Sequence, residues 1–209
     1  MKRNSLAIIF ACCVLALAAQ DVIKVNYRGA KPTISDFAWA FLSDYTYDEN
    51  GDDCLDEVRS SVKQAWINHR KGLPLEEGET ITVDEKNGYA LYECRTKDGS
   101  NDDLCKVEMC YWNEADGKHK LFAYNVALFR NGKYDPGQFD GIQFYRYTNA
   151  KKKMVYCEAP GFTPQYGTED GAYVTHSLPR AGKDITVTSW YENGKKKQRT
   201  LKWNGRRFK

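Results

Sequence analysis

The chain has 209 residues, 42% of them hydrophobic and 28% charged, with a formal net charge of +3. That balance fits a water-soluble globular protein of one domain or two small ones. It excludes collagen-like, coiled-coil and multi-spanning membrane architectures, and the small total charge by itself implies no polyelectrolyte partner.

Lys2 and Arg3 form a basic start, and an uncharged apolar run follows from Leu6 to Ala19. A run of about 14 residues is too short to cross ~30 Å of hydrocarbon comfortably. It ends in the small residues Ala16-Leu17-Ala18-Ala19. The segment reads as a secretory signal peptide cut before Gln20 or one residue earlier. A lipoprotein signal on Cys12 or Cys13 is the rival. The bulky Phe10 before Cys12 and the continuation of the run past both cysteines argue against it. The expected organisation is a signal peptide over 1–19 and a single α+β domain over 20–209. Its destination is periplasmic or extracellular. The size, the signal and the Tyr-rich hairpins resemble those of small exported proteins of Gram-negative bacteria, a likeness that carries no motif.

Two helices are predicted over about 34–71. Ser35 is the expected N-cap of the first, with Asp36 in its first turn and Phe37, Ala40, Phe41 and Tyr45 at helical spacing. The second is expected to start near Asp52 or Asp53. Leu55, Val58, Val62, Ala65 and Trp66 form its apolar stripe, with acids at its start and His69, Arg70 and Lys71 at its end. Gly72 and Pro74 stop it.

From about residue 79 to 208 the period changes to two. Hairpins are predicted across Lys86-Asn87-Gly88, as a type I′ turn, and across Asp116-Gly117, Asn149 to Lys152 and Asn193-Gly194-Lys195. Leu121 to Phe129 is apolar on both faces, as a central strand covered on both sides would be. In Gly141 to Thr148, Ile142 and Phe144 alternate with Gln143, Tyr145 and Tyr147, the pattern of a strand with one face in water. Ala159 to Gly182 is a long loop with one short strand near Tyr173 to Ser177. Helices first and hairpins after predict an α+β fold, with the N-terminal helical pair packed against a predominantly antiparallel β-meander sheet.

Beyond the signal segment stand Cys54, Cys94, Cys105, Cys110 and Cys157. In an oxidising compartment these are disulfide candidates first, and Cys94 with Cys105, flanking a polar loop between two strands, is the favoured pair. No Cys-x-x-Cys pair supports a zinc site. Asp48, Asn50 and Asp52 alternate like calcium ligands, but Gly51 and Arg59 stand in the wrong places for an EF-hand. No Gly-x-Ser-x-Gly elbow, His-Glu-x-x-His helix or phosphate-cradling loop is present. No catalytic residue, metal or cofactor is therefore assigned. A hydrolase with no recognisable motif, using His176, with Cys157 as its thiol partner, or paired carboxylates, is the least favoured reading.

The charge is uneven. Residues 35–58 hold eight acids and no base before Arg59, and residues 180–209 hold ten Lys/Arg against Asp184 and Glu192. The basic end reads first as lysine protecting an edge strand and second as an anion-binding or membrane-surface patch. Aromatic residues make up 13% of the chain, with 14 Tyr and 5 Trp. Tyr145, Tyr147, Trp190, Tyr191 and Trp203 fall on predicted strands and are the candidate binding residues, since rings on a rigid sheet can stack on sugars or anchor a protein. The function expected is an exported, non-enzymatic binding module for a glycan or cell-envelope component. A protein-interaction or inhibitor module is the alternative. Nucleic acid is excluded by export, the mature chain has no expected membrane segment, and the oligomeric state stays open.

Overall fold

The computed structural model describes residues 22–44, 55–136 and 141–209. The signal segment, Tyr45, Cys54, the expected helix start at Asp52 or Asp53 and the calcium-like Asp48-Asn50-Asp52 stretch lie outside them. In chain order the elements are β1 (Val22–Lys24), α1 (Ile34–Ser43), α2 (Leu55–Lys71), β2 (Glu79–Asp84), β3 (Tyr89–Asp98), β4 (Asn101–Asn113), β5 (His119–Arg130), β6 (Lys133–Tyr134), β7 (Gly141–Thr148), β8 (Lys153–Tyr156), β9 (Tyr173–Ser177), β10 (Ile185–Trp190) and β11 (Lys196–Leu201).

Helix α1 begins two residues earlier than expected. Thr33 is its N-cap, because Ile34 is already helical and fully buried. The Thr33 N–H donates to Asp36 Oδ2 at 2.8 Å, the reciprocal arm of a capping box. Glu85, in the β2–β3 turn, accepts from the Ile34 N–H at 3.1 Å and from the Ser35 hydroxyl. A carboxylate thus sits at the positive end of α1 and ties it to the sheet. Helix α2 ends as its sequence requires. Gly72 takes a positive φ of 67°, the Gly72 N–H donates to His69 O and the Leu73 N–H to Asn68 O. That is a Schellman closure, in which glycine escapes the Cβ penalty of the left-handed region.

The hairpins form one antiparallel sheet in the order β1-β8-β7-β5-β4-β3-β2, with β6 on β5. The remaining strands form a separate three-stranded sheet, β11-β10-β9. The helices cover one face of the large sheet, where Phe37, Phe41 and Trp66 pack with Tyr92, Met109, Phe122 and Tyr124. The small sheet and the C-terminal tail cover the other, where Trp112, Leu121, Ala123 and Phe144 meet Val174, Ile185, Val187 and Phe208. The α+β class, the helical pair and the two-sided central strand β5 are as the residue pattern predicts. The split into two sheets is not, because the stretch 159–172, which carries the chain across the face, has no periodicity to announce it.

That second layer corrects the reading of β7. Tyr145 and Tyr147 do not face water. They lie under α1, where Phe41 meets the Tyr145 ring at 5.2 Å and Phe37 meets the Tyr147 ring edge-on at 5.0 Å. With both faces covered, Ile142 and Phe144 enter one core and the tyrosines the other. The Asn87-Gly88 turn also differs from expectation. Only Gly88 has positive φ, so the four-residue loop is not type I′, which needs two such residues. Asn131-Gly132 does have both, at 52° and 72°, and closes the tight β5–β6 turn.

Candidate binding surface

The five sequence-predicted rings do not share one face. Tyr145 and Tyr147 belong to the helix-side core, as described. Trp203 is buried in the second core, 4.8 Å from the Phe208 ring, with its indole Nε1–H donating to Asn113 O at 3.4 Å. Its burial comes from the tail folding back, as Trp203 and Phe208 form a β-bridge. Trp190 and Tyr191 remain partly exposed.

Trp190 is the last residue of β10, and the pairing places Tyr173 of β9 on one side of it and Lys196 of β11 on the other. Side chains directly opposite in neighbouring strands share a face, so these three form one row. The indole is fixed by a 2.8 Å hydrogen bond from Nε1–H to Thr175 Oγ1. The Lys196 ammonium lies 4.0 Å from the Trp190 ring, within cation–π range. Phe129 and Tyr134, from the large sheet, approach the indole at 5.7 and 6.3 Å, and Tyr134 reaches Tyr173 at 6.5 Å. The result is an aromatic ledge between the two sheets, built at the C-terminal ends of β5 and β10 with Tyr134 of β6 and Tyr173 of β9. Beside it, the Tyr191 hydroxyl donates to Asp170 Oδ2 at 3.1 Å.

Among the described residues three tyrosines are about half exposed. Tyr173 is 47% exposed, and Tyr156 and Tyr166 are 50% and 52% exposed. The Tyr166 carbonyl accepts from the Val174 N–H, one residue along from Tyr173. Sequence reasoning missed Tyr134, Tyr166 and Tyr173 as site residues. Tyr134 sits on a two-residue strand, Tyr166 in an aperiodic loop and Tyr173 at a loop–strand junction. A count of tyrosines flanked by Gly, Pro and Thr was the one available signal.

Other clusters carry less. Glu114, Asp116 and His119 bring potential metal-ligating atoms within 4.8 Å of one another, and the two carboxylates line a cavity of about 540 Å³. The Arg146 guanidinium holds both Glu114 oxygens, at 2.7 and 2.5 Å. His119 Nδ1 is 2.5 Å from Asp116 Oδ2. That contact, with the backbone N–H of Lys118, lowers the Asp116 carboxyl to about 2. The trio is a salt-bridge knot holding the β4–β5 turn to β7. Cys157 lines the same cavity, and burial raises its thiol to about 11, the opposite of what a nucleophile needs. His176 packs on Phe162 at 5.2 Å, and burial, with Arg199 adding to it, lowers its ring to about 4.

Cys94 and Cys105 are register partners, as the antiparallel pairing predicted, yet both are thiols. The Tyr111 N–H donates to Gly88 O, which makes 88/111 a hydrogen-bonded pair. Counting in twos puts 94/105 in the same class. Side chains at such pairs stand farther apart than at the alternate ones, beyond the separation of about 3.8 Å that a disulfide prefers between Cβ atoms.

Among the described residues no helix is long and apolar enough to cross a membrane. Comparison with known proteins finds no matching family model, no matching curated protein and no matching solved structure.

Proposed function

We propose that this chain is an exported, non-enzymatic binding module that takes a glycan or cell-envelope component on the ledge formed by Phe129, Tyr134, Tyr173 and Trp190. The observation that carries the reading is Trp190. Its indole is partly open to solvent, anchored through Nε1 to Thr175 and walled by other rings. A flat ring fixed before the ligand arrives loses little entropy on binding. Its face offers dispersion and C–H contacts to a sugar ring, while Trp and Tyr dominate the energetics of many interfaces. Export rests on Lys2, Arg3 and the apolar run to Ala19.

Titration calorimetry against neutral oligosaccharides tests the binding. Saturable binding that Trp190→Ala and Tyr173→Ala each weaken supports the proposal. Binding that neither substitution changes overturns the placement of the site. N-terminal sequencing of protein made in a Gram-negative host tests export, and a mature start at Gln20 or Ala19 is expected. An intact Met1-Lys2-Arg3 terminus on protein from the cytoplasm counts against it.

A further inference from the structure

The small net charge hides a strong segregation. Residues 180–209 hold ten Lys/Arg and two acids, so they carry +8, while the rest of the chain, with 21 bases and 26 acids, carries −5. All ten bases are exposed. Among the described residues only Arg180 takes part in an ion pair, with Asp84 at 3.4 Å. The other nine cations face solvent outside any ion pair, with Lys197 near the Asp170 carboxylate.

Their placement is linear. β11 is an edge strand of the small sheet; it carries Lys196 on the Trp190 face and Lys197 and Arg199 on the opposite face of the same edge, with Lys195 just before it and Lys202 just after. Lys195 to Lys202 spans about 23 Å at the usual strand rise. Two backbone hydrogen bonds, Lys202 N–H to Lys209 O at 2.9 Å and Lys209 N–H to Lys202 O at 3.1 Å, set the C-terminal Lys209 beside Lys202 and lengthen the track. Its near end meets the ledge, where Lys196 covers part of the Trp190 indole. Lysine on an edge strand discourages edge-to-edge pairing. That explains the strand residues but not Lys202, Arg206, Arg207 and Lys209 beyond the strand.

We infer that this basic track, running from the Trp190 ledge along β11 into the C-terminal tail, binds an extended anionic polysaccharide, a chain of uronic acid or sulfated sugar units. The inference rests on the saccharide reading above and names the ligand class. A row of like charges with a positive local field attracts a polymer that carries repeated negative charge. The ring at one end supplies the contact that a charge alone does not. The signal-like N-terminus favours a saccharide over a nucleic acid, whose bases would also stack on such rings.

The test measures binding of polygalacturonate, with dextran as an uncharged polymer and a mixed-sequence single-stranded oligonucleotide alongside. The protein is compared with Lys195→Gln/Lys196→Gln/Lys197→Gln and with the charge-matched control Lys71→Gln/Lys86→Gln/Lys151→Gln, all at exposed positions. Far-UV circular dichroism verifies that each is folded. The expected result is polygalacturonate binding that fades toward about 0.5 M NaCl. It should weaken at least roughly tenfold in the β11 triple variant and be preserved in the control. Equal loss in both variants, or no loss in either, overturns the track. A preference for the oligonucleotide with polygalacturonate unbound overturns the ligand class. Trp190-dependent binding of neutral oligosaccharides with no preference for the charged polymer overturns this inference and leaves the proposed function standing. Failure of every saccharide, charged and neutral, removes both.

Discussion

Glu108 of β4 and Asn125 of β5 are register partners, and together they hold the small sheet to the large one. Asn125 Nδ2–H donates to Glu108 Oε2 at 3.3 Å and to His176 O at 2.8 Å, while the Leu178 N–H donates to Glu108 Oε2 at 3.2 Å. The Tyr89 hydroxyl and the Lys106 ammonium fill Glu108 Oε1, each at 2.9 Å. A carboxylate 3% exposed survives burial because every direction of its charge is answered. The contact fixes the end of β9, and through β9 the Tyr173–Trp190 row.

Removing that carboxylate strands several donors at once. Glu108→Ala is expected to destabilise the protein by about 3 kcal/mol, with Glu108→Gln costing less because it keeps one acceptor oxygen. Urea unfolding monitored by fluorescence measures both. Equal and small losses would show that the network does not hold the sheets together.

Acid should loosen the same junction through His176. Its folded ring titrates at about 4 against the ordinary 6.5, so the neutral ring is the one the fold accepts. Between those values the unfolded chain binds the extra proton. Stability contributed by the neutral ring is complete above pH 6.5 and is lost as pH falls toward 4, by about 3 kcal/mol in all. The charged groups facing this region are Arg199, Glu108 and Lys106. His176→Gln should flatten the pH dependence of the urea midpoint between pH 6.5 and 4.5. An unchanged slope would contradict the assignment.

Gly88 and Gly99 separate backbone strain from crowding. Both have positive φ, at 67° and 58°. A Cβ on Gly88 would stand 2.8 Å from the Tyr111 ring, whereas one on Gly99 would meet nothing within 4 Å. Gly99→Ala should cost about 1 kcal/mol from the backbone alone. Gly88→Ala should cost roughly 1–3 kcal/mol more, because the ring must move. Thermal melts of the two variants decide it, and equal shifts would refute the crowding.

The cysteine register gives a chemical prediction. Peptide mapping of the unreduced protein should recover Cys94 and Cys105 without a crosslink between them, because their pair type holds the side chains apart. A 94–105 linked peptide at full occupancy would show that the strands shift to meet it.

The residue pattern discloses the hairpins and both helices because those depend on local spacing. The stripe Val58, Val62, Ala65 and Trp66 could be only a helix, and the alternation around Asn149 to Lys152 could be only a tight hairpin. It does not disclose which tyrosines are wet. Tyrosine is apolar over most of its surface and polar at one atom, so in a strand covered on both sides its alternation looks the same as that of a strand facing water. Tyr145 and Tyr147 therefore look wet from their alternation although α1 covers them, while Tyr134 and Tyr173 carry no periodic signal. Trp203 is hidden by Phe208, a contact made only when the tail turns back. The basic track was visible as a charge run, but its alignment with Trp190 depends on the β10–β11 register.

The most direct test of the aromatic ledge is a ¹H–¹⁵N spectrum of the five indole N–H groups during titration with a neutral oligosaccharide. The account predicts a saturable shift of the Trp190 signal, with the signals of the buried Trp66 and Trp203 unmoved. A Trp190 signal that stays fixed while the sugar demonstrably binds elsewhere would contradict it.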